Sequence, residues 1–132
     1  MKAIHRFVGD GDKFDWEEIP VETNISSGSK GVIRRWLIGE REKAPYFAMR
    51  YYEVKPGGWT DLHKHSHDHG VIVLKGNGKV FIENEEFEVK FGDVIYIAPY
   101  KLHQLKNTGS SPFGFICVIP NKKIVKDQGP NK

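Results

Sequence analysis

Five of the six histidines fall in two places: His63, His65, His67 and His69 within seven residues, and His103 in a later segment. Imidazole is the commonest metal-binding side chain near neutral pH, because its ordinary pKa of about 6.5 leaves a lone pair available. On an extended chain alternate residues face the same way, about 6.6 Å apart, so His63 and His65 are placed to converge on one ion. A short turn through Ser66-His67-Asp68 then lets His69, opening the next strand, approach from the side. His103 has to come from a distant strand, following a Pro-containing turn that aims it. The competing reading is a solvated, histidine-rich surface loop, and the isolated His5 is read as structural or solvated.

The elements that must hold these side chains are β-strands. Helical periodicity is nearly absent, and from Tyr46 onward short β-rich runs alternate with turn signals, the pattern of a sandwich or barrel. The runs are Tyr46–Val54, Trp59–His65, His69–Lys75, Lys79–Glu83, Glu86–Lys90, Val94–Ile97, Leu102–Lys106 and Phe113–Ile119. Lys55-Pro56-Gly57-Gly58 reads as a turn, and Asn77-Gly78 as a primed hairpin turn. Such close spacing leaves no room for parallel crossovers, so the pairing is expected to be antiparallel. Within residues 1–45, Val21–Ser26 and Gly31–Ile38 are candidate strands and Asp15–Ile19 a short helical turn; the region reads as an arm laid over the barrel or a partner subunit. Residues 46–120 form the barrel and 121–132 a polar tail. Val71-Ile72-Val73-Leu74 is apolar at every position, so both faces of that strand need cover, from dimerisation or from the arm.

Composition removes other classes. The 132 residues are 39% hydrophobic and 28% charged, with no apolar run near the length a membrane helix needs, so no membrane partner is expected. A lone cysteine, Cys117, makes no intramolecular disulfide. The net charge of +3 comes from interleaved charges and a lysine-containing tail, which gives no reason to expect a nucleic-acid partner. Residues 1–9 carry no apolar signal segment, and the expected location is the cytoplasm.

The residues also match a family. Pro56-Gly57-Gly58, then His63-x-His65, His69 and Gly76, resembles the first cupin motif, and Gly92-Asp93, Ala98-Pro99, His103 and Asn107 resemble the second. The resemblance covers residues 46–120 and implies an all-β, double-stranded β-helix (a cupin jelly-roll barrel) with an N-terminal arm. It implies a metal held inside the open end by His63, His65, His69 and His103. Most cupins place Glu at position 69; the histidine here is similar to a subgroup of short prokaryotic cupins that bind a divalent metal, manganese in one example, through four histidines. One divalent ion per chain is therefore expected, Mn²⁺ first, with Fe²⁺, Zn²⁺, Ni²⁺ or Cu²⁺ as alternatives, since nitrogen ligation alone does not choose among them. His67, Asp68 and Gly70 depart from that subgroup, and His67 is an extra candidate, as a ligand, a group supporting the ligands or a solvated loop residue.

Four neutral ligands leave the full +2 charge on the ion, a stronger Lewis acid than a carboxylate-bearing version, and leave positions open for water, substrate or dioxygen. Around it, Arg50 either faces inward to fork onto a carboxylate or bound oxyanion, or lies outside in an ion pair. Leu105 shares strand parity with His103 and is expected to line the cavity. Phe115 and Cys117 share a face, as core packing or as a pocket wall with an oxidisable thiol; Tyr51 and Tyr96 read as packing. No acidic base is placed beside the metal, apart from Asp68 in its loop. The leading function is an enzyme on a small chelating organic substrate, of dioxygenase or oxidase type first and isomerase or lyase type second. The alternative is a non-catalytic small-molecule or metal-binding sensor, and a homodimer is expected in either case.

Overall fold

The computed structural model describes residues 2–121; the expected polar tail lies outside the described residues, apart from Asn121. Eight strands follow in order: β1 (Lys30–Ile38), β2 (Phe47–Trp59), β3 (His69–Lys75), β4 (Asn77–Ile82), β5 (Glu85–Lys90), β6 (Val94–Ile97), β7 (His103–Lys106) and β8 (Phe113–Pro120). All pairings are antiparallel, in the order β5-β4-β7-β2-β8-β3-β6, with β1 added on β2. The sheet curls into a jelly-roll β-barrel. No helix among the described residues is long and apolar enough to cross a membrane.

Period-two alternation sets the inside. His69, Val71 and Val73 of β3, His103 and Leu105 of β7, and Phe113, Phe115 and Cys117 of β8 are all buried. The apolar members of this set share one core with Val54, Val80, Val89, Ile95 and Ile97. A slip of one residue in any of these ladders would turn its apolar set to solvent, which fixes the register. The ladder Arg50↔Cys117 and Val71↔Cys117 places β2 and β3 on either side of β8.

The outer face of β2 is covered by the N-terminal segment. Tyr51 is fully buried with Ile19 and Leu37, and Phe14 stacks on it at 5.5 Å between ring centroids while Trp16 tilts against it at 5.3 Å. Beneath them Lys75 Nζ donates to Glu53 Oε1 at 2.8 Å and to the Asp12 carbonyl, and Tyr51 Oη donates to the same Glu53 oxygen at 2.8 Å. The arm thus closes over a buried ion pair as well as an aromatic cluster. Residues 30–38, grouped with the arm in the sequence reading, are a full strand paired along β2 from Val32↔Val54 to Trp36↔Arg50.

Several local expectations give way to other geometry. Asp15–Ile19 is no helical turn: Trp16 bridges Phe7 antiparallel and Glu18 takes φ 61°, because residues 6–17 form a small hairpin that buries the aromatics. Lys55–Gly58 continues inside β2, bending it at Gly57 (φ 80°) so that Trp59 reaches β7. Asn77-Gly78 is not a hairpin turn. The chain crosses from β3 to a strand on the other side of the barrel, and Gly76 (φ 67°) makes the corner. The β4–β5 hairpin turns instead at Glu83-Asn84. The arm does not cover Ile72, which is 37% exposed, and Tyr96 is 64% exposed instead of packed.

Candidate metal centre

The two histidine-bearing stretches meet through their backbones. His63 N donates to the His103 carbonyl at 3.0 Å and His103 N to the His63 carbonyl at 2.8 Å. The expected strand over Trp59–His65 is absent beyond Trp59; residues 60–63 run irregularly along β7, with Thr60 N donating to the Leu105 carbonyl and Thr60 Oγ1 accepting from Leu105 N, each at 2.9 Å. Simple strand parity therefore does not position His63 and His65. A tight turn at Tyr100 (φ 65°), whose N–H donates to the His65 carbonyl, aims His103 inward.

His65, His69 and His103 converge, their ligand atoms all within 4.8 Å of one another. Bonds of about 2.1 Å from one ion put two imidazole nitrogens at most about 4.2 Å apart, so the rings must draw inward to close the set. The His103 Nδ1 proton goes to the Lys101 carbonyl at 2.8 Å, leaving Nε2 to ligate. His69 Nδ1 lies 3.2 Å from Cys117 Sγ, and its buried Nε2 has no partner. A buried imidazole nitrogen without a partner is costly to retain unless something else binds it, so the donor set fits a transition metal.

The other histidines sit at the margin. The side chain of His63 is 50% exposed, its Nε2 is 3.5 Å from Asp61 Oδ2, and its ring packs edge-on to His65 at 4.8 Å. His67 stacks on His65 at 4.8 Å and tilts toward His69 at 5.0 Å. His5 lies elsewhere, its Nδ1 at 3.0 Å from the Glu17 carbonyl.

Burial decides the charge state. It holds His69 down at about 2, with His103 and Arg50 adding to the effect, and His65 at about 4, with its histidine neighbours adding. Burial lowers His67 and His103 as well. These imidazoles are neutral at physiological pH and their lone pairs are free. Burial raises Cys117, against the pull of Arg50, so it is a thiol and no anionic ligand.

The histidines form one part of the wall of a cavity of about 600 Å³. Arg50 faces into it and is 8% exposed; Nη1 donates to Tyr52 Oη at 2.7 Å and Nη2 to Cys117 Sγ at 3.2 Å, while Nε has no partner. No carboxylate among the described residues pairs with it. Its guanidinium stacks over Trp36 and Tyr52 at 5.6 and 5.0 Å. Leu105, Phe115 and Cys117 line the same cavity, as does Thr60. Asp68 does not: its carboxylate accepts from exposed Tyr96 Oη.

Sequence reasoning missed Asp61, Trp36, Tyr52 and Ser26 as lining residues. Parity with Arg50 on β2 was a usable signal for Tyr52. None existed for Ser26, which lies in an irregular segment before β1.

The Cupin domain family profile matches residues 50–119. The chain belongs to the cupin family. Over 84 residues this cupin is 34% identical to the 1-methylthio-D-xylulose 5-phosphate methylsulfurylase of Rhodospirillum rubrum, covering 64% of its own length and 53% of that protein's. It spans about half the length of that curated relative. It is 28% identical over 108 residues to the oxalate-binding protein of Thermotoga maritima, covering 78% and 88% of the two chains. Among solved structures, a cupin-2 domain protein from Rhodospirillum rubrum superposes with a TM-score of 0.75 at 27% identity, over 86% of this chain and 77% of that one.

Proposed function

We propose that this cupin is a metal-dependent enzyme acting on a small, chelating, anionic organic molecule at an open histidine site. One divalent ion per chain, Mn²⁺ before Fe²⁺, Zn²⁺, Ni²⁺ or Cu²⁺, is held by His63, His65, His69 and His103. The observation that carries the reading is the convergence of three imidazoles, one with an unpartnered buried Nε2, on the wall of a cavity large enough for a small substrate. When bound, the ion would polarise ligand oxygens and give access to one-electron chemistry with dioxygen. The chain's own residues supply the rest. Arg50, buried without a counter-charge, orients an oxyanion; Leu105 and Phe115 exclude water; the Cys117 thiol backs His69 and Arg50.

Oxygen-dependent oxidation or C–C cleavage comes first, isomerisation or elimination second. The relatives named above carry a sugar phosphate and oxalate in their names, both anions, which agrees with an electropositive pocket. The oxalate-binding relative also favours the second reading, a binder without turnover. The test follows oxygen consumption and anaerobic product formation over catechols, diketones and keto acids, with Mn²⁺- and Fe²⁺-loaded protein and with His69→Ala. Turnover that His69→Ala abolishes supports the enzyme. Tight oxalate binding with silence across the whole panel establishes the binder. A homodimer is part of the proposal, supported by the exposed Ile72, Val94 and Tyr96 on neighbouring strands.

A further inference from the structure

Two nitrogens on the cavity wall are left for a ligand. Among the described residues, three buried side-chain nitrogens have no hydrogen-bond partner: Arg35 Nε, Arg50 Nε and His69 Nε2. Arg35 lies outside the cavity, paired with Asp15 at 3.1 Å. The other two belong to cavity residues that share one sulfur atom, since Cys117 Sγ is 3.2 Å from both His69 Nδ1 and Arg50 Nη2. The His69 ring and the Arg50 guanidinium are therefore neighbours, within reach of one carboxylate.

Beyond the histidines, the other polar side chains of the wall are engaged within the protein. Arg34 Nε and Trp36 Nε1 both donate to Glu22 Oε1, at 2.8 and 2.7 Å, so Arg34 has its own counter-charge. Tyr52 Oη accepts from Arg50 and Thr60 Oγ1 from Leu105 N. The Ser26 hydroxyl donates to Asp61, the one carboxylate lining the cavity among the described residues, and Ser29 Oγ donates to the Ser26 carbonyl. One cation is thus open to one anionic group. The rest of the wall is apolar, with Ile25, Val32, Ile97, Leu105, Phe115 and Ile119. A hydroxyl buried against such a surface without a partner weakens binding, whereas each buried methylene strengthens it about fourfold. At about 600 Å³ the cavity is also far larger than oxalate needs.

We propose that the site takes a monoanionic α-keto or α-hydroxy carboxylate with an apolar side chain: the carboxylate sits between the metal position and Arg50, and the side chain lies on Leu105, Phe115 and Ile119. The inference rests on the reading of the histidines as a metal site given above. Its test is isothermal titration calorimetry on the Zn²⁺-loaded full chain, Zn²⁺ being redox-inert. From pyruvate through α-ketobutyrate and α-ketovalerate to α-ketocaproate, affinity is expected to rise about three- to fourfold per methylene. α-Ketovalerate should bind at least about tenfold tighter than α-ketoglutarate, which has the same chain length and a second carboxylate, and α-hydroxycaproate at least about tenfold tighter than gluconate. Ile119→Asn should flatten the series to less than about twofold per methylene while pyruvate stays within about threefold of wild type, a pattern that a general loss of stability does not give. If Ile119→Asn does not fold, Ile25→Asn carries this arm. Affinity that is flat or falls along the series, tighter α-ketoglutarate or gluconate, or a slope unchanged by the wall variant overturns the inference. If oxalate and pyruvate bind but the series is flat, the metal-site reading stands and only this substrate class falls. If no probe, oxalate included, binds the Zn²⁺-loaded chain better than the metal-free one, that reading fails, and this inference with it.

Discussion

An imidazole ligates only while its lone pair is unprotonated, and here burial does that work before any ion arrives. His69, held at about 2, is neutral in the folded chain where an unfolded histidine titrates near about 6.5. The unfolded chain therefore binds the extra proton first, and metal-free stability falls as pH drops below about 6.5. Between pH of about 6.5 and about 5 the loss from His69 alone is about 2 kcal/mol, with a smaller contribution from the half-buried His65. Without metal, the offset between the urea midpoints of wild type and His69→Gln should be constant above pH of about 6.5 and change below it, the wild type losing more stability as pH falls; profiles parallel over the whole range would refute the assignment. Arg50→Gln should weaken oxalate binding about 10–100-fold while binding of the neutral analogue oxamide, followed by calorimetry, stays within about twofold. Equal losses for both would show that the guanidinium reads no charge. His69, His103 and Leu105 were legible in the sequence because each lies on a regular strand where alternation fixes the inward face. Asp61 was not, and strand parity did not describe how His63 is positioned, because residues 60–63 follow the edge of β7 without a strand's period.

At the scale of elements, β3 and β6 match the β-rich runs residue for residue, and β8 differs by one, since alternating side chains flanked by turn residues leave little freedom. The glycine corners were harder to read. Gly57 and Gly76 both have positive φ, but a Cβ at Gly57 meets open space and one at Gly76 collides with the Pro112 carbonyl. Gly57→Ala should cost about 1–2 kcal/mol in urea unfolding, the left-handed penalty alone. Gly76→Ala should cost at least about 1 kcal/mol more, because a backbone carbonyl cannot rotate away as a side chain does. Equal costs would mean that the crossing from β3 to β4 is slack. Under the arm, Trp16→Ala removes an aromatic from Tyr51 and loosens the cover of the Lys75–Glu53 pair. A loss of about 3 kcal/mol is expected by thermal unfolding, and a negligible shift would show that the arm is dispensable.

At the scale of the molecule, Ile72, Val94 and Tyr96 stand outward on β3 and β6, with Ile72 paired to Val94 and Tyr96 to Gly70. If a second copy covers this strip, Val94→Lys should halve the sedimenting mass without lowering metal content. A wild-type monomer would remove the dimer, and a dimer that survives Val94→Lys would place its interface elsewhere. The all-β class and the antiparallel pairing were readable from turn spacing, whereas the outward strip was not, because an uninterrupted apolar run does not say which face a neighbour takes. The β2–β8 ladder has one more implication, for the order of events during synthesis. Phe47 pairs with Pro120 and Val54 with Phe113, so β2 can pair early with β1, but a ribosome has delivered nearly the whole barrel before β2 finds β8. Long-range ladders of this kind close slowly, on a scale of about milliseconds to seconds. An ion that needs both His65 and His103 is therefore captured late: it ratifies a finished barrel and does not template one.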